Sequence, residues 1–449
     1  MKNILILGAG MVARPLVRYL LDQDDFTVVV ASRTVSKAEK LIEDHPRGRA
    51  QQLDIANVEA LVQLISSADL VVSLVPYAHH IEVAGHCITY RKPMVTTSYV
   101  SGEMETLDGS AKEAGVILLN EIGLDPGIDH MSAMKIIDDV QNGGGKVVSF
   151  CSYCGALPAP ESAKNPFRYK FAWSPRGVVL AAKNDARYLK NGQQRYVPGS
   201  QLFDDCSTIT IEPLGDFAVY PNRNSLGYID KYGISSAHTM FRATLRYPGW
   251  CAIWKKLAEL GLLDEEPREL KGLSYRAFVE SLIGNVPSGG STTPQESTKL
   301  AVASYLKLDK DSPVLHTFEW LGLFTHEPLV LERGSALDVL AQRLLEKLKY
   351  EEGERDMVVL HHEFVAEDSQ GSKEKVTSTL IDYGTPGGDT AVARTVALPA
   401  AIGSKLILDG KIDVKGVHIP TIPSIYEPVL EELEHQGIVC SEKSEPLTE

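Results

Sequence analysis

The chain opens on an apolar run, Ile4-Leu5-Ile6-Leu7, too short for a helix and ended by Gly8 and Gly10, which predicts a buried strand entering a tight turn. An amphipathic stretch over 11–21 then predicts a helix. The alternation repeats. Apolar runs near 27–31, 50–53, 70–74, 94–97 and 116–120 predict strands, separated by helix-period stretches near 57–66, 81–89 and 103–114. Strand and helix in strict turn predict an α/β fold, a doubly wound parallel sheet of the Rossmann type. Ligands of such sheets lie beyond the carboxyl ends of the strands, so the residues after each strand become the candidate site.

Beyond Gly143-Gly144-Gly145 the pattern shifts to longer strands and irregular aromatic segments, and 235–350 reads as helical. There Trp250, Ile253, Trp254, Leu257 and Leu260 form one apolar stripe, and Leu337, Leu340, Leu344 and Leu348 another. The Gly/Ser/Thr/Pro-rich 285–294 reads as a mobile loop, 357–365 with 377–382 as an antiparallel hairpin, and 391–408 as a helix kinked at Pro399. The acid-rich end, 442–449, reads as a frayed tail. The expected division is a dinucleotide-binding domain (1–127 and 390–449), an α/β substrate and dimerisation domain (128–234 and 352–389) and a helical insertion (235–351).

The turn after the first strand, Gly8-Ala9-Gly10-Met11-Val12-Ala13, fits a pyrophosphate site. Gly8 makes the turn, Gly10 lets backbone approach phosphate, and the helix that follows presents unbonded N–H groups and its positive end. At the end of the second strand an NAD site places a carboxylate for the ribose 2′-OH, whereas this chain has Ser32-Arg33-Thr34. Two hydroxyls and a guanidinium suit a 2′-phosphate, which predicts NADP(H).

The 449 residues exceed what one core holds, and 44% hydrophobic with 23% charged residues is ordinary globular composition. A net charge of -14 argues against nucleic acid or an anionic membrane as partner and makes any anionic substrate depend on local cations. No run approaches the ~18 apolar residues of a membrane span, and the start of the chain does not read as a signal peptide, which predicts a cytoplasmic protein. The six cysteines are scattered, and no disulfide or metal site is expected. Cys151 and Cys154 are three apart in a strand-like run and should point to opposite faces.

Three segments carry a longer signature: Asn120-Glu121-Ile122-Gly123-Leu124-Asp125-Pro126-Gly127-Ile128-Asp129-His130, the run from Tyr153-Cys154-Gly155 to Pro160-Glu161, and the arginines of Tyr220-Pro221-Asn222-Arg223 and Thr244-Leu245-Arg246-Tyr247. With Val75-Pro76-Tyr77, Val95-Thr96-Thr97-Ser98-Tyr99, Tyr169 to Ser174 and Asp356-Met357-Val358, the chain resembles saccharopine dehydrogenase of the glutamate-forming type, also called saccharopine reductase, over nearly its whole length. The resemblance implies NADP(H)-dependent interconversion of saccharopine with L-glutamate and 2-aminoadipate 6-semialdehyde, in lysine biosynthesis, by a homodimer. It implies cofactor contacts from Gly10, Met11, Val12, Ser32, Arg33, Thr34, Asp54, Ile55, Val75, Thr97, Leu124, Asp125, Pro126 and Ser174. The implied substrate contacts are Ser98, Tyr99, Asp125, Arg223, Thr244, Leu245 and Arg246.

Saccharopine carries three carboxylates, which Arg223 and Arg246 could grip as bidentate forks within a repulsive envelope. Asp125, Tyr99 and Cys154 are the candidates for the proton step. Asp125 could equally serve as a helix N-cap with Pro126 in the first turn. Ser235-Ser236-Ala237-His238-Thr239 looks closer to bifunctional degradative relatives, so direction stays open. So do two further readings, another NADP-linked imine or amine dehydrogenase of this architecture and a non-catalytic nucleotide sensor.

Overall fold

The computed structural model describes residues 1–173, 175–284 and 293–447. Ser174 and most of the loop expected at 285–294 lie outside the described residues. Two compact units emerge where the sequence suggests three: one of Met1–Ala156, Gly227–His238 and Asp356–Glu449, the other of Leu157–Leu226 and Thr239–Arg355.

In the first unit, β1 (Lys2–Leu7), α1 (Ala13–Leu21), β2 (Phe26–Ser32), α2 (Val35–Ile42), β3 (Gly48–Gln52), α3 (Val58–Ser67), β4 (Leu70–Ser73), α4 (His80–Thr89), β5 (Met94–Val95), α5 (Gly102–Glu105), α6 (Asp108–Ala114) and β6 (Ile117–Leu119) follow one another. The strands pair in parallel in the order β6-β5-β4-β1-β2-β3, and Gly416–His418 adds a seventh beside β6 that the sequence pattern did not suggest. Three residues are too few to display a period. Ile4 to Leu7 are at most 1% exposed, as expected of a parallel strand covered on both faces. The order reverses between β1 and β4, and there Gly8 takes a φ of 113°, where an added Cβ would meet the Leu74 carbonyl oxygen at 2.8 Å.

α7 (Ile128–Asn142) leads to β7 (Lys146–Pro158), which lies beside the strand Asp356–Glu367. That strand pairs antiparallel with Lys373–Tyr383, the expected hairpin. Among the described residues the chain end is not frayed. Ser441–Pro446 pairs antiparallel with Glu374 to Thr379, because a backbone ladder needs no apolar side chains and Lys135 meets Glu442 at 2.8 Å. The helix Ala391–Leu408 contains Pro399 and is, against expectation, long and apolar enough to cross a membrane. It is 72% buried inside the protein and behaves as a core helix against α1, where Arg14 reaches Asp389 at 2.9 Å.

In the second unit five strands pair antiparallel: Gln193–Val197 with Ala186–Lys190, that with Thr239–Arg246, and this with Gly215–Pro221 and Ser207–Ile211 in turn. Thr239–Arg246 falls in a stretch expected to be helical, since its buried Arg242 and Arg246 hide any apolar alternation. The helices Trp250–Glu259 and Ala336–Lys347 bury the predicted stripes. Cys206 and Cys251 form a disulfide that had not been expected, joining positions 45 residues apart that the fold brings together at the start of Trp250–Glu259.

Candidate active site

The parallel sheet sets its ligand-type residues at one edge. Gly8 to Val12 follow β1, Ser32 to Thr34 close β2, Asp54 and Ile55 follow β3, Val75 follows β4, Thr97 to Tyr99 follow β5 and Leu124 to Pro126 follow β6. The residues fit a phosphorylated dinucleotide. α1 begins without a side-chain cap, which leaves helix-end N–H groups for phosphate, and a Cβ on Gly10 would meet nothing within 4 Å. Arg33 and Thr34 are exposed, the Ser32 hydroxyl takes the Thr34 N–H at 3.3 Å, and among the described residues Arg33 has no acidic partner. Ser32-Arg33-Thr34 itself contains no carboxylate to repel a 2′-phosphate.

Tyr99 donates its hydroxyl to Oδ1 of Asp125 at 2.7 Å, so two of the three proton-step candidates meet. Cys154 is buried on β7. Asp125 is not a helix cap. α7 is preceded by Gly127 at a φ of 147°, where any Cβ would strike the Gly123 backbone, and Asp129 takes the Gly127 N–H at 2.6 Å. Asp125 is thereby left to the side facing Tyr99.

Two buried residues behind this pair carry no role in the sequence reading. Glu121, at a φ of 55° and 1% exposed, holds the Ser98–Val100 loop at two points. Its N–H donates to the Ser98 carbonyl at 3.1 Å, and its Oε1 takes the Val100 N–H at 2.9 Å. Oε2 is met by His130 Nε2 at 2.8 Å and by the Tyr228 hydroxyl at 3.0 Å. Burial pushes this carboxyl up, but the His130 bond and charge and the Val100 N–H outweigh it and bring it to about 2. His80 lies between Ser73 at 2.9 Å and Ser98 at 2.8 Å. Their partners are 7 to 107 residues away in sequence, so no local signal could have found either.

In the second unit, Thr244 to Arg246 end a strand whose Ala243 pairs with Pro221, and Asn222 N–H donates to the Arg242 carbonyl at 2.8 Å. Arg223 follows, exposed at a φ of 55°, its carbonyl held by the Arg187 N–H at 2.9 Å. The two arginines are therefore set about five residues apart along one ladder, roughly 17 Å of strand. Arg246 is 5% exposed and caged by Tyr169 and Trp250 at 5.1 Å and Tyr220 at 6.0 Å. Its Nη1 donates to the Leu245 carbonyl, its Nε has no hydrogen-bond partner, and among the described residues no carboxylate approaches it. A buried guanidinium without an acid is costly unless an anion arrives. Among the described residues no group of three or more His, Cys, Asp or Glu could hold a metal ion.

A reversing parallel sheet, an uncapped helix behind a glycine turn and an arginine in place of the ribose carboxylate define a dinucleotide-binding α/β protein of the oxidoreductase type. Two family profiles match, "saccharopine dehydrogenase NADP binding domain" over residues 4–119 and "saccharopine dehydrogenase C-terminal domain" over 123–438. The chain belongs to the saccharopine dehydrogenase family. It is 40% identical over 446 residues to saccharopine dehydrogenase [NADP(+), L-glutamate-forming] of Schizosaccharomyces pombe, covering 99% of each chain. It is 38% identical to the mitochondrial alpha-aminoadipic semialdehyde synthase of Mus musculus, covering 99% of this chain and 48% of that one. The solved apo saccharopine dehydrogenase (L-Glu forming) of Saccharomyces cerevisiae superposes with a TM-score of 0.90 at 40% identity, over 99% of this chain and 100% of that one.

Proposed function

We propose that the protein is an NADP(H)-dependent saccharopine dehydrogenase of the glutamate-forming type, interconverting saccharopine with L-glutamate and 2-aminoadipate 6-semialdehyde. The observation that carries this reading is Arg246, buried among aromatic rings with no carboxylate beside it among the described residues, in a protein of net charge -14. Such a group fits a substrate rich in carboxylates and fits poorly a substrate without them.

Bound NADP supplies a hydride acceptor, and NADPH the donor for the reverse direction. The chain's part is to bind, orient and move protons. Gly10 to Val12 and Ser32 to Thr34 hold the phosphates, Asp54, Ile55, Val75, Thr97 and Leu124 to Pro126 line the cofactor path, and Ser174 is assigned to it by resemblance alone. Arg223, Thr244, Leu245 and Arg246 take substrate carboxylates, while Ser98 and Tyr99 take its polar groups. Oxidation of the secondary amine leaves an imine and a proton, and water then splits the imine into glutamate and the semialdehyde. Asp125, which accepts a hydrogen bond from the Tyr99 hydroxyl at 2.7 Å, is the group assigned to accept that proton, with Cys154 as a further candidate.

The same proposal takes the biosynthetic direction, a homodimer and a cytoplasmic location. Ser32-Arg33-Thr34 supports the first through its fit to NADPH, and family resemblance supports the second. Mixing the purified protein with saccharopine and NADP, with NAD in parallel, should give a rise in nicotinamide absorbance for NADP at least about tenfold faster. A flat trace with tight NADP binding would favour the sensor, and equal rates would remove the coenzyme assignment.

A further inference from the structure

We propose that His80 is a positioning residue that turns the Ser98 hydroxyl outward as a hydrogen-bond donor, through a one-way chain from Ser73 to His80 to Ser98 that ends on a substrate carboxylate. It rests on the reading above only in naming the carboxylate's owner.

The direction follows from counting protons. Ser73, on β4, is 0% exposed, and His80 Nδ1 at 2.9 Å is its one side-chain partner among the described residues. A hydroxyl there must donate, because accepting from Nδ1–H would leave its own proton buried without an acceptor, costing about 1–3 kcal/mol. Nδ1 is then the acceptor. His80 is 4% exposed, and burial, with His79 beside it, pushes its imidazole down to about 4, so it is neutral near pH 7 and carries a single proton. That proton sits on Nε2 and is donated to Ser98 Oγ at 2.8 Å. Thr96 Oγ1, at 3.4 Å from the same Nε2, competes weakly against the 2.8 Å contact of Ser98.

With Nε2–H pointing at it, Ser98 Oγ cannot pass its own proton back to His80, and it is half-buried at the carboxyl edge of β5. The hydroxyl can still donate to an acceptor at that edge. A chain of donors aimed one way polarises each link and strengthens the last, which favours an anion there over an ammonium. Were the imidazole reversed, Ser98 would donate inward and could greet a ligand only as an acceptor. Glu121 sets the loop from the other side by holding the Ser98 carbonyl and the Val100 N–H, and among the described residues His80 is the side chain that meets the Ser98 hydroxyl.

Nitrogen NMR of histidine-labelled, ligand-free protein, with the His80 signal assigned by its loss in His80→Gln, reads the tautomer directly. Nδ1 unprotonated and Nε2 protonated is expected, and the opposite tautomer overturns the chain. Steady-state kinetics give the second arm. His80→Leu and Ser98→Ala should each raise the KM for saccharopine by about tenfold, the worth of one hydrogen bond to a charged group, with kcat within about twofold. Their combination should be no worse than either alone. His80→Gln, whose amide N–H can stand where Nε2–H stood, should restore most of the loss. Multiplying effects in the double variant, or no rescue by Gln while the variants stay folded, would overturn the proposal. If the wild-type protein fails to turn over saccharopine, the substrate reading falls and the tautomer still decides the chain.

Discussion

Two arginines of the second unit, Arg343 and Arg246, are almost equally buried, at 4% and 5% exposure, and live in opposite company. Arg343 lies over Tyr275 and grips Glu327 at 2.6 Å and Glu346 at 2.9 Å, with Nε on the Leu321 carbonyl. Arg246 has the aromatic rings and, among the described residues, no acid. Folding completes the first site. The second leaves a buried guanidinium without an acid, which costs stability and suits the substrate role proposed for it.

The contrast predicts opposite outcomes for the same substitution. Arg246→Met should remove about 2–5 kcal/mol of carboxylate binding, raising the KM for saccharopine at least about thirtyfold. Thermal stability should hold or rise, because an unpaired buried charge is gone. Arg343→Met should leave kcat/KM unchanged and cost about 2 kcal/mol in denaturant unfolding, a low value because Glu327 is half exposed. Loss of activity in the Arg343 variant, or of stability in the Arg246 variant, would break the comparison.

Glu121 sharpens it from the acidic side, as a buried carboxylate with every partner in place. Its carboxyl is held at about 2, below the ordinary 4.5, so its contribution is complete above about pH 4.5 and disappears as pH falls towards 2. Unfolding midpoints should therefore drop over that window in the wild-type protein, and Glu121→Gln, some 1–3 kcal/mol less stable at pH 7, should show a flatter drop. An equally steep profile in both would show that Glu121 is not the group responsible. The smallest effect concerns Arg33, exposed and without an acid among the described residues. Arg33→Ala should weaken NADP binding about tenfold and leave NAD binding unchanged, and a matching loss for both coenzymes would contradict the 2′-phosphate assignment.

What was legible in the chain was whatever repeats at short range. The strand-helix alternation of the first 120 residues, the glycine turn after β1 and the missing carboxylate after β2 are local patterns, and each maps onto the parallel sheet or its carboxyl edge. Features assembled across distance were not legible. His80 reads as one more helix residue until Ser73 and Ser98 close on it, and Glu121 sits in a recognisable motif without any sign of Val100, His130 or Tyr228. The strand carrying Arg246 was missed because it sets a charged side chain where the pattern calls for an apolar one. The Cys206–Cys251 disulfide depends on a fold contact that spacing alone does not reveal.

The central claim is that the uncompensated guanidinium of Arg246 is there for a substrate carboxylate, and isothermal titration of saccharopine into the NADPH-loaded protein tests it most directly. Binding to the wild-type protein, lost at least about thirtyfold in Arg246→Met and unchanged in Arg343→Met, is the predicted result. Equal affinity in all three proteins would contradict it.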